Sequence, residues 1–436
     1  MAKSKISLFW FRRDLRLHEN HGLYQALKGA EAVFPIFIFD KDILEGLKDK
    51  ADKRVAFIHH ALHDIQTTLQ ANDSSLYILH ETPLLAIKML TGEFDIAAVY
   101  TNHDYEPYAI GRDAEVKRFL ETKGIPFHTF KDQVVFERNE VVKGDGSPYT
   151  IFTPFSKIWK EKYATDKKVG YPSEKHLGNL YKTKPLPFPS LKEIGFEEVN
   201  LDIPSITPDK NIIQHYNETR NLPYVNGTSK MSVHLRFGTV SVRELAAIAS
   251  KWNDQWLNEL IWREFFMMIL WHFPKVITES FKAKYDRIEW RNNEVEFKKW
   301  CAGETGYPMV DAGMREMNAT GLMHNRVRMV VASFLTKHLL IDWRWGEAYF
   351  AEKLLDYELS SNNGNWQWCA GCGCDAAPYF RIFNPTEQQK KFDPEMIYIR
   401  KWIKNYRPGY LDPIVDHDFA RKRVLEVFKT ALNETQ

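Results

Sequence analysis

The stretch Ile6-Ser-Leu-Phe-Trp-Phe11, followed directly by Arg12-Arg-Asp-Leu-Arg16, indicates the fold of the first part of the chain. A short apolar run bounded by charged residues is typical of a buried strand. Similar apolar runs follow at 32–39, 76–79, 96–100 and 127–130. They alternate with amphipathic, helix-like patterns at 22–27, 54–69, 84–90 and 112–120. This alternation predicts an α/β domain with a doubly wound parallel sheet.

No Gly-x-Gly-x-x-Gly pattern follows the first predicted strand, so a dinucleotide is not expected on this domain. The charged segment 12–16 has two interpretations that the sequence leaves open. It forms a solvated loop, or it lines the carboxyl edge of the sheet, where ligands of such folds bind.

Three regions follow from the change of pattern along the chain. Residues 1–130 form the α/β domain, and residues 131–205 form a connector that prolines repeatedly interrupt. Residues 206–436 form an all-helical domain, because 3.6-residue periodicity recurs through them. The periodic segments are 242–252, 256–273, 306–320, 324–340 and 345–355.

Composition excludes some classes of protein. The chain has 436 residues and a formal net charge of +2, which does not by itself indicate a nucleic-acid binder. A local basic patch would nevertheless suffice to bind phosphates. No apolar run approaches the roughly 18 residues of a membrane span, and the N-terminus lacks the pattern of a signal peptide. A cytoplasmic protein with no membrane partner is expected.

The four cysteines do not indicate a metal site. Cys369, Cys372 and Cys374 lie close together among glycines, whereas Cys301 is far upstream. Metal or iron–sulfur ligation needs about four suitably arranged ligands. The sequence therefore predicts small, reduced, buried thiols and no metal.

A second informative stretch is Asp356-Tyr-Glu-Leu-Ser-Ser-Asn-Asn-Gly-Asn-Trp-Gln-Trp368, which mixes acids, amides and two tryptophans. Buried acids and amides cost free energy unless each finds a partner, so a packed core does not need this mixture. A pocket for a flat ligand with polar edges does need it. Trp366 and Trp368 point in nearly opposite directions on a helix, so one can face a cofactor and the other a different ligand. A polar junction between a helix and a loop is the alternative.

Two further patterns have both a functional and an ordinary interpretation. Glu259, Trp262 and Arg263 share one helix face, either as a platform for a cofactor or as a surface ion pair over a core tryptophan. The run Gly227-Thr-Ser-Lys-Met-Ser232 offers N–H groups, hydroxyls and a cation that suit a pyrophosphate. A helix N-cap is the ordinary role of such Thr and Ser residues.

Near residue 325, Asn325 and Arg328 share a face while Arg326 points away. An arginine at this position can form a structural ion pair with a buried acid such as Asp356. Beside a redox-active ring, the same pair would instead tune the electronics of the ring.

Together these motifs resemble the photolyase/cryptochrome family, and specifically the class I cyclobutane pyrimidine dimer (CPD) photolyases of bacteria. The matching segments keep their order along nearly the whole chain and are 9–18, 256–265, 305–308, 323–329 and 362–385. The resemblance implies a Rossmann-like antenna domain and a helical domain that binds FAD and DNA. It also implies light-driven repair of dimers in UV-damaged DNA by a monomer in the bacterial cytosol.

The resemblance assigns the flavin site residue by residue. The FAD phosphate and ribityl segment comprises Tyr216, Thr228, Ser229, Lys230, Met231 and Ser232. The flavin and lesion cavity is lined by Trp256, Glu259 and Arg263. The shell around the isoalloxazine comprises Asn325, Arg328, Asp356 and Glu358. Asn362 faces flavin N5, and the implied catalytic residues are Glu259, Asn325 and Asn362.

The resemblance also assigns the DNA contacts and an electron relay. The implied DNA-binding residues are Arg220, Trp262, Arg326, Met329 and Trp368. Of these, the two tryptophans grip the extruded dimer and the two arginines hold phosphates. An enzyme must take a dimer out of the duplex to reach it, and extruded bases favour aromatic walls. The implied relay of electrons from the surface to the flavin comprises Trp290, Trp343 and Trp366.

Three departures from the family pattern occur. Leu322 replaces a frequent tryptophan, Glu358 replaces a usual aspartate, and the clustered cysteines replace small or hydroxyl residues. Each departure leaves local packing or hydrogen bonding at that position open.

A cryptochrome-type photoreceptor and a (6-4) photolyase are the alternative functions. The (6-4) enzymes that resemble this family carry histidines where this chain has Asn325 and Met329. Their chemistry needs a proton donor there, and a methionine donates no proton. Signalling relatives often have a long extension, whereas this chain ends soon after His417. Repair of CPDs is therefore the favoured interpretation.

An antenna chromophore is expected but not identified by the sequence. Asp104 and Glu106 match a region that contacts the antenna in relatives, and their ordinary role is to cap the following helix. Methenyltetrahydrofolate, a deazaflavin or a second flavin are the candidates.

Overall fold

The computed structural model describes residues 5–166 and 170–433, which divide into two compact units. The first unit comprises Met1–Glu137, Glu161–Thr207 and Met231–Ile248. The second comprises Arg138–Lys160, Pro208–Lys230 and Ala249–Gln436. The predicted connector is thus shared between the units, and residues 231–248 belong to the first unit rather than to the helical one. Residues 1–4, 167–169 and 434–436 of the predicted regions lie outside the described residues.

A five-stranded sheet with the order β3-β2-β1-β4-β5 forms the centre of the first unit. The strands are β1 (Lys5–Phe11), β2 (Ala32–Asp40), β3 (Tyr77–Glu81), β4 (Asp95–Asn102) and β5 (Phe127–Phe130). All four strand pairs are parallel, with Ile6 opposite both Ala32 and Ile96. Six of the seven residues of β1 are buried, as a parallel strand covered on both faces requires. The predicted doubly wound sheet is confirmed.

The helices follow the predicted periodic segments closely. Those in the first half of the chain are α1 (His21–Leu27), α2 (Lys41–Leu44), α3 (Lys53–Gln70), α4 (Pro83–Glu93), α5 (Pro107–Thr122), α6 (Phe152–Thr165), α7 (Lys210–Gln214), α8 (Tyr216–Thr219), α9 (Ser232–Phe237) and α10 (Val242–Trp252). The later ones are α11 (Asp254–His272), α12 (Glu294–Ala302), α13 (Pro308–Thr320), α14 (Asn325–Ser333), α15 (Trp343–Lys353), α16 (Leu359–Ala370), α17 (Pro385–Phe392), α18 (Ile397–Trp402) and α19 (His417–Asn433). No helix in the described ranges is both long and apolar enough to cross a membrane.

Local sequence signals explain several helix ends. The side chains of Asn253 and Asp342 accept hydrogen bonds from the first turns of α11 and α15, which satisfies otherwise unpaired N–H groups. Gly371 ends α16 with a φ of 92°, a left-handed conformation that glycine adopts without steric cost. The predicted helix at 324–340 is shorter than expected, because α14 passes into a π-helical turn at Phe334–His338.

The charged segment 12–16 is not a solvated loop, since Asp14 and Arg16 are only 2% and 7% exposed. Arg16 Nη2 lies 2.8 Å from both carboxylate oxygens of Asp132. Asp14 accepts a hydrogen bond of 2.6 Å from Asn102 Nδ2 at the end of β4. The segment therefore lies at the carboxyl edge of the sheet, and its charges are committed to internal partners.

The core of the second unit contains a buried lysine in the π-helical turn. Lys337 is 1% exposed, donates a 2.7 Å hydrogen bond to the carbonyl oxygen of Ala370, and lies with Nζ 3.9 Å from the Phe428 ring centroid. Burial lowers the pKa of Lys337 to about 7, although the thiols of Cys372 and Cys369 act in the opposite direction. The charged form of this lysine is thus held at a cost to folding stability.

Replacing this lysine should change how stability depends on pH. Unfolded lysine keeps its proton to pH ~10.4, so between pH 7 and pH 8.5 the unfolded chain binds more protons than the folded one. The free-energy cost of burying Lys337 therefore becomes smaller as the pH rises. The free energy of unfolding of the wild type, minus that of Lys337→Met, should rise by roughly 1.5 kcal/mol over this range. Urea denaturation at both pH values measures it.

Taking the difference between the two free energies of unfolding removes the pH dependence that comes from groups common to both proteins, such as the thiols. Lys275→Met is the matched control, because the Lys275 side chain is 49% exposed and keeps its contact with water in the folded state. A difference between wild type and Lys337→Met that stays constant with pH would contradict the prediction.

Candidate functional site

Eleven of the predicted site residues lie on three helices of the second unit, α11, α14 and α16. α16 packs against α11, α14 and α15. A Cβ added to Gly364 would lie 2.1 Å from the Phe266 ring, and one added to Gly346 would lie 2.1 Å from Trp366 Cη2. The absence of side chains at these two glycines therefore sets how closely α16 approaches α11 and α15.

On α16, the Asn362 amide is fixed by two donated hydrogen bonds. Its Nδ2 lies 2.8 Å from Glu347 Oε1 and 3.1 Å from the Glu347 carbonyl oxygen. Burial raises the pKa of Glu347. Among the described residues none donates to Oδ1 of the Asn362 side chain, so this oxygen is an oriented acceptor.

Arg328 on α14 pairs with Asp356 as the sequence suggested. Its Nη2 lies 2.9 and 3.0 Å from the two carboxylate oxygens, and its Nε donates to the Met323 carbonyl oxygen at 2.8 Å. The Asp356 side chain is 4% exposed. Glu358 accepts hydrogen bonds of 2.8 Å from the hydroxyls of Ser360 and Ser361.

The segment preceding α9 brings a hydroxyl to α11. Trp256 Nε1 lies 3.2 Å from Ser229 Oγ, which joins two residues predicted for the cofactor site. Thr228 is half-buried, and Lys230 is exposed with a φ of 54°. The division between the two units falls directly after Lys230, so the structure assigns the predicted residues Met231 and Ser232 to the first unit.

Glu259 on α11 is held by two partners. Arg220 Nη1 lies 2.5 Å from its Oε1, and Gln255 Nε2 lies 3.1 Å from the same oxygen. The Arg220 guanidinium also lies 5.4 Å from the ring centroid of Tyr216, and burial together with Glu259 raises the pKa of that tyrosine. A predicted DNA contact and a predicted catalytic acid are therefore paired, which the sequence did not indicate.

Three arginines form a basic cluster. Burial, Arg220 and Arg381 all lower the pKa of Arg326. Arg326 Nη2 donates to Asn221 Oδ1 at 2.7 Å, and the Arg381 guanidinium lies 5.8 Å from the Trp368 ring centroid. Such a concentration of positive charge attracts phosphates. Sequence reasoning missed Arg381, although it lies in the quoted motif at 362–385.

The predicted lesion-binding side chains are partly exposed. Trp262 and Trp368 are half-buried, as is Met329, whereas Asn325 is exposed as the first residue of α14. The indole of Trp262 stacks on Phe152 with ring centroids 3.6 Å apart. Neither the aromatic partner nor its helix was predicted, because Phe152 lies within the expected connector.

The predicted electron relay lies in the core of the second unit. Trp366 and Trp343 are 2% and 1% exposed, and Trp290 is half-buried against that core. In the described part of the chain, the ring neighbours of Trp366 are Phe350, with centroids 4.9 Å apart, and Trp300 at 6.1 Å. Burial thus decreases from Trp366 and Trp343 to Trp290.

In the first unit, Asp104 and Glu106 bind arginines. Arg13 Nη1 lies 2.7 Å from Glu106 Oε1 and 3.3 Å from Asp104 Oδ1, and Arg236 also pairs with Glu106. These arginines and their neighbours outweigh burial and hold the pKa of Asp104 at about 2. Glu106 precedes α5 without a side-chain capping bond, so the expected capping is not made by Glu106.

A separate cleft of about 460 Å³ lies at the carboxyl ends of β2 and β3. Its lining includes Asp42, Thr82, Tyr108 and Arg112.

No disulfide joins the four cysteines, and the predicted burial holds for Cys372, whereas the other three are partly buried. All four are free thiols, and burial raises the pKa of Cys301, Cys369 and Cys372 to about 12. Within 5–166 and 170–433, no group of three or more His, Cys, Asp or Glu side chains could hold a metal ion.

Comparison with known proteins assigns the two halves of the chain. Residues 7–173 match the DNA photolyase family, and residues 256–408 match the FAD binding domain of DNA photolyase. The deoxyribodipyrimidine photo-lyase of Halobacterium salinarum is 35% identical over 98% of this chain and 99% of its own length.

Solved structures show the same fold. A bacterial class III photolyase from Agrobacterium tumefaciens superposes with a TM-score of 0.87, 30% identity, and coverage of 99% of this chain and 98% of that one. A cryptochrome from Synechocystis gives a TM-score of 0.82 at 25% identity, with coverage of 98% and 100%. The fold is therefore common to both proteins.

The close approach of α15 to α16 should not tolerate a methyl group. In Gly346→Ala, the new Cβ would meet Trp366 Cη2 at 2.1 Å and Leu335 Cδ2 at 2.5 Å. Overpacking of this kind costs about 1–3 kcal/mol and should also lower the flavin content of the purified protein. Urea denaturation and the ratio of flavin to protein absorbance measure these two effects.

Gly92→Ala in α4 is the matched control, since its Cβ would have no neighbour within 4 Å. The free energy of unfolding of Gly92→Ala should rise by roughly 0.5–1 kcal/mol, and this protein should keep its flavin. A Gly346→Ala protein with the stability and the flavin content of the wild type would contradict the packing described for α16.

Proposed function

Because this chain belongs to the DNA photolyase family, we propose that it repairs cyclobutane pyrimidine dimers in DNA by light-driven one-electron transfer. FAD is the cofactor of the domain at residues 256–408, and when bound and reduced it supplies the electron. The residues of this chain bind the cofactor, orient it, extrude the dimer and stabilise the charge that develops on the bases.

The donor set of the second unit fits a flavin dinucleotide. Ser229 supplies a hydroxyl fixed by Trp256, and Lys230 supplies a cation, which together suit the phosphates. The Arg328–Asp356 pair offers both a donor and an acceptor for the polar edge of a flavin ring. The oriented side-chain oxygen Oδ1 of Asn362 suits the N–H group at N5 of a reduced flavin.

The remaining cofactor assignments follow from the resemblance alone. They comprise Tyr216, Thr228, Met231, Ser232, Trp256, Arg263, Asn325 and Glu358.

The proposed specificity for CPDs rests on the residue types at the start of α14. His324 is the histidine of this segment, and its Nδ1 accepts a hydrogen bond from the Arg326 N–H group at 3.1 Å. Burial, Arg326 and Arg328 lower the pKa of His324 to about 4, so it is neutral at physiological pH. Neither Asn325 nor Met329 donates a proton as an acid, whereas repair of the (6-4) lesion needs such a donor.

Glu259 acts on the extruded bases in this proposal. Arg220 and Gln255 hold its Oε1, so the orientation of the carboxylate is set before DNA binds. A carboxylate accepts hydrogen bonds from base N–H groups, and preorganised groups of this kind stabilise developing charge without reorganising. Trp262 on the same helix and Trp368 on α16 supply the aromatic walls.

DNA binding draws on the basic cluster of Arg220, Arg326 and Arg381. Phosphate contacts hold the backbone on either side of the site and make affinity depend on salt. The unpaired and unstacked bases then bind between aromatic side chains, which compensates for the lost stacking in the duplex.

For an antenna chromophore, the first unit offers two places. Asp104 and Glu106 are already paired with arginines, whereas the cleft beside Tyr108 and Arg112 is lined by an aromatic ring and a cation. A methenyltetrahydrofolate, a deazaflavin or a second flavin each has a ring that suits such a lining.

The purified, reduced protein under near-ultraviolet or blue light should restore thymines in a CPD-containing oligonucleotide. A (6-4) photoproduct should remain unchanged, because Asn325 and Met329 stand at the positions where the resemblance places the histidines of (6-4) enzymes. Chromatography of the digested oligonucleotide measures both, and darkness is the control. Repair of the (6-4) lesion would contradict the substrate assignment. Absence of any repair, with reduced FAD bound, would favour a photoreceptor of the cryptochrome type.

Trp366→Phe should slow the photoreduction of oxidised FAD but leave repair nearly intact after chemical reduction. The relay of Trp290, Trp343 and Trp366 reduces the cofactor, whereas repair returns the electron within each cycle. Flavin absorbance under illumination measures the first step, and the oligonucleotide assay measures the second. Trp402→Phe, at a half-buried tryptophan of α18, is the control. Equal loss of both activities would instead assign Trp366 a role in shaping the flavin pocket.

A further inference from the structure

Phe152, the first residue of α6, stacks face to face on Trp262. The ring centroids are 3.6 Å apart and the planes differ by 4°. Aromatic pairs usually prefer offset or edge-to-face arrangements over a parallel sandwich. A sandwich this close therefore indicates that the surrounding structure holds both rings in place.

Groups on α11 and on the segment after α16 hold this pair. The Phe152 N–H group donates to Asp375 Oδ2 at 3.0 Å, which ties the start of α6 to the segment after α16. Phe265 on α11 meets both rings edge-on, at 5.9 Å from Phe152 and 5.6 Å from Trp262. Phe266 packs on the indole at 5.5 Å. Neither ring of the sandwich can rotate without disturbing these contacts.

The pair differs from its core neighbours in exposure. Phe155 and Phe265 are 1% and 0% exposed, whereas Phe152 and Trp262 both remain half-buried. Burial in a core therefore does not account for the sandwich by itself. Asp375 belongs to the same segment that carries Arg381, so Phe152 also connects Trp262 to the basic cluster.

We propose that Phe152 is a positioning residue for lesion recognition, which fixes the plane of the Trp262 indole so that an extruded pyrimidine meets it already in its binding orientation. This inference rests on the proposed function. An indole already held in its binding orientation loses less conformational freedom when a base stacks on it.

Binding of CPD-containing and undamaged oligonucleotides in the dark tests the proposal. Phe152→Ala and Phe152→Leu should weaken binding of the CPD-containing oligonucleotide by roughly 2- to 10-fold, because the indole is no longer held. Binding of undamaged DNA should not change, and Phe152→Tyr, which keeps a flat ring, should restore most of the affinity.

A double-mutant cycle separates positioning from a general loss of structure. In the Trp262→Ala background, Phe152→Leu should have no further effect on CPD affinity, since it acts through the indole. Phe297→Leu is the matched control, because Phe297 is also partly buried and stacks on a tryptophan, Trp300, with centroids 5.8 Å apart. It should leave CPD affinity unchanged.

The outcomes distinguish this inference from the proposed function. If Trp262→Ala leaves CPD affinity unchanged, the proposed role of Trp262 fails and this inference with it. If Trp262→Ala weakens binding but the Phe152 variants do not, this inference alone is wrong. Equal losses for damaged and undamaged DNA, or additive effects in the cycle, would also overturn it.

Discussion

The arrangement of the second unit depends on the close approach of α16 to α11 and α15. Gly364 lies under the Phe266 ring and Gly346 under the Trp366 ring, at distances that leave no room for a Cβ. Asn362, Trp366 and Trp368 all lie on α16, so these two contacts set the position of an oriented amide, a buried indole and a half-exposed one. Close packing makes such a position sensitive to a single methyl group.

Paired charges then fix the polar part of the site. The Arg328–Asp356 pair is largely buried, and removal of one partner would leave the other uncompensated. Arg220 and Gln255 both bind the Glu259 carboxylate. In the proposed function Glu259 contacts the extruded bases and Arg220 contacts DNA phosphates, so the two roles are linked by this ion pair. Binding of DNA near Arg220 would therefore change the surroundings of Glu259 directly.

Patterns within a single element were predictable from the sequence, and contacts between distant segments were not. The five strands follow from short apolar runs, and the shared helix face of Glu259 and Trp262 follows from a period of 3.6 residues. Local periodicity gives no information on the pairing of Arg220 with Glu259, or on Phe152, which lies 110 residues before Trp262. The π-helical turn after α14 was also missed, because it preserves the apolar pattern of a continuous helix.

The fluorescence lifetime of bound, reduced FAD tests the central claim most directly, because electron transfer to a dimer competes with emission. We expect a saturating CPD-containing oligonucleotide to shorten this lifetime, and the same sequence without the lesion to leave it unchanged. Equal lifetimes with both oligonucleotides, at concentrations where both are bound, would contradict the claim that this chain brings a dimer within electron-transfer distance of its flavin.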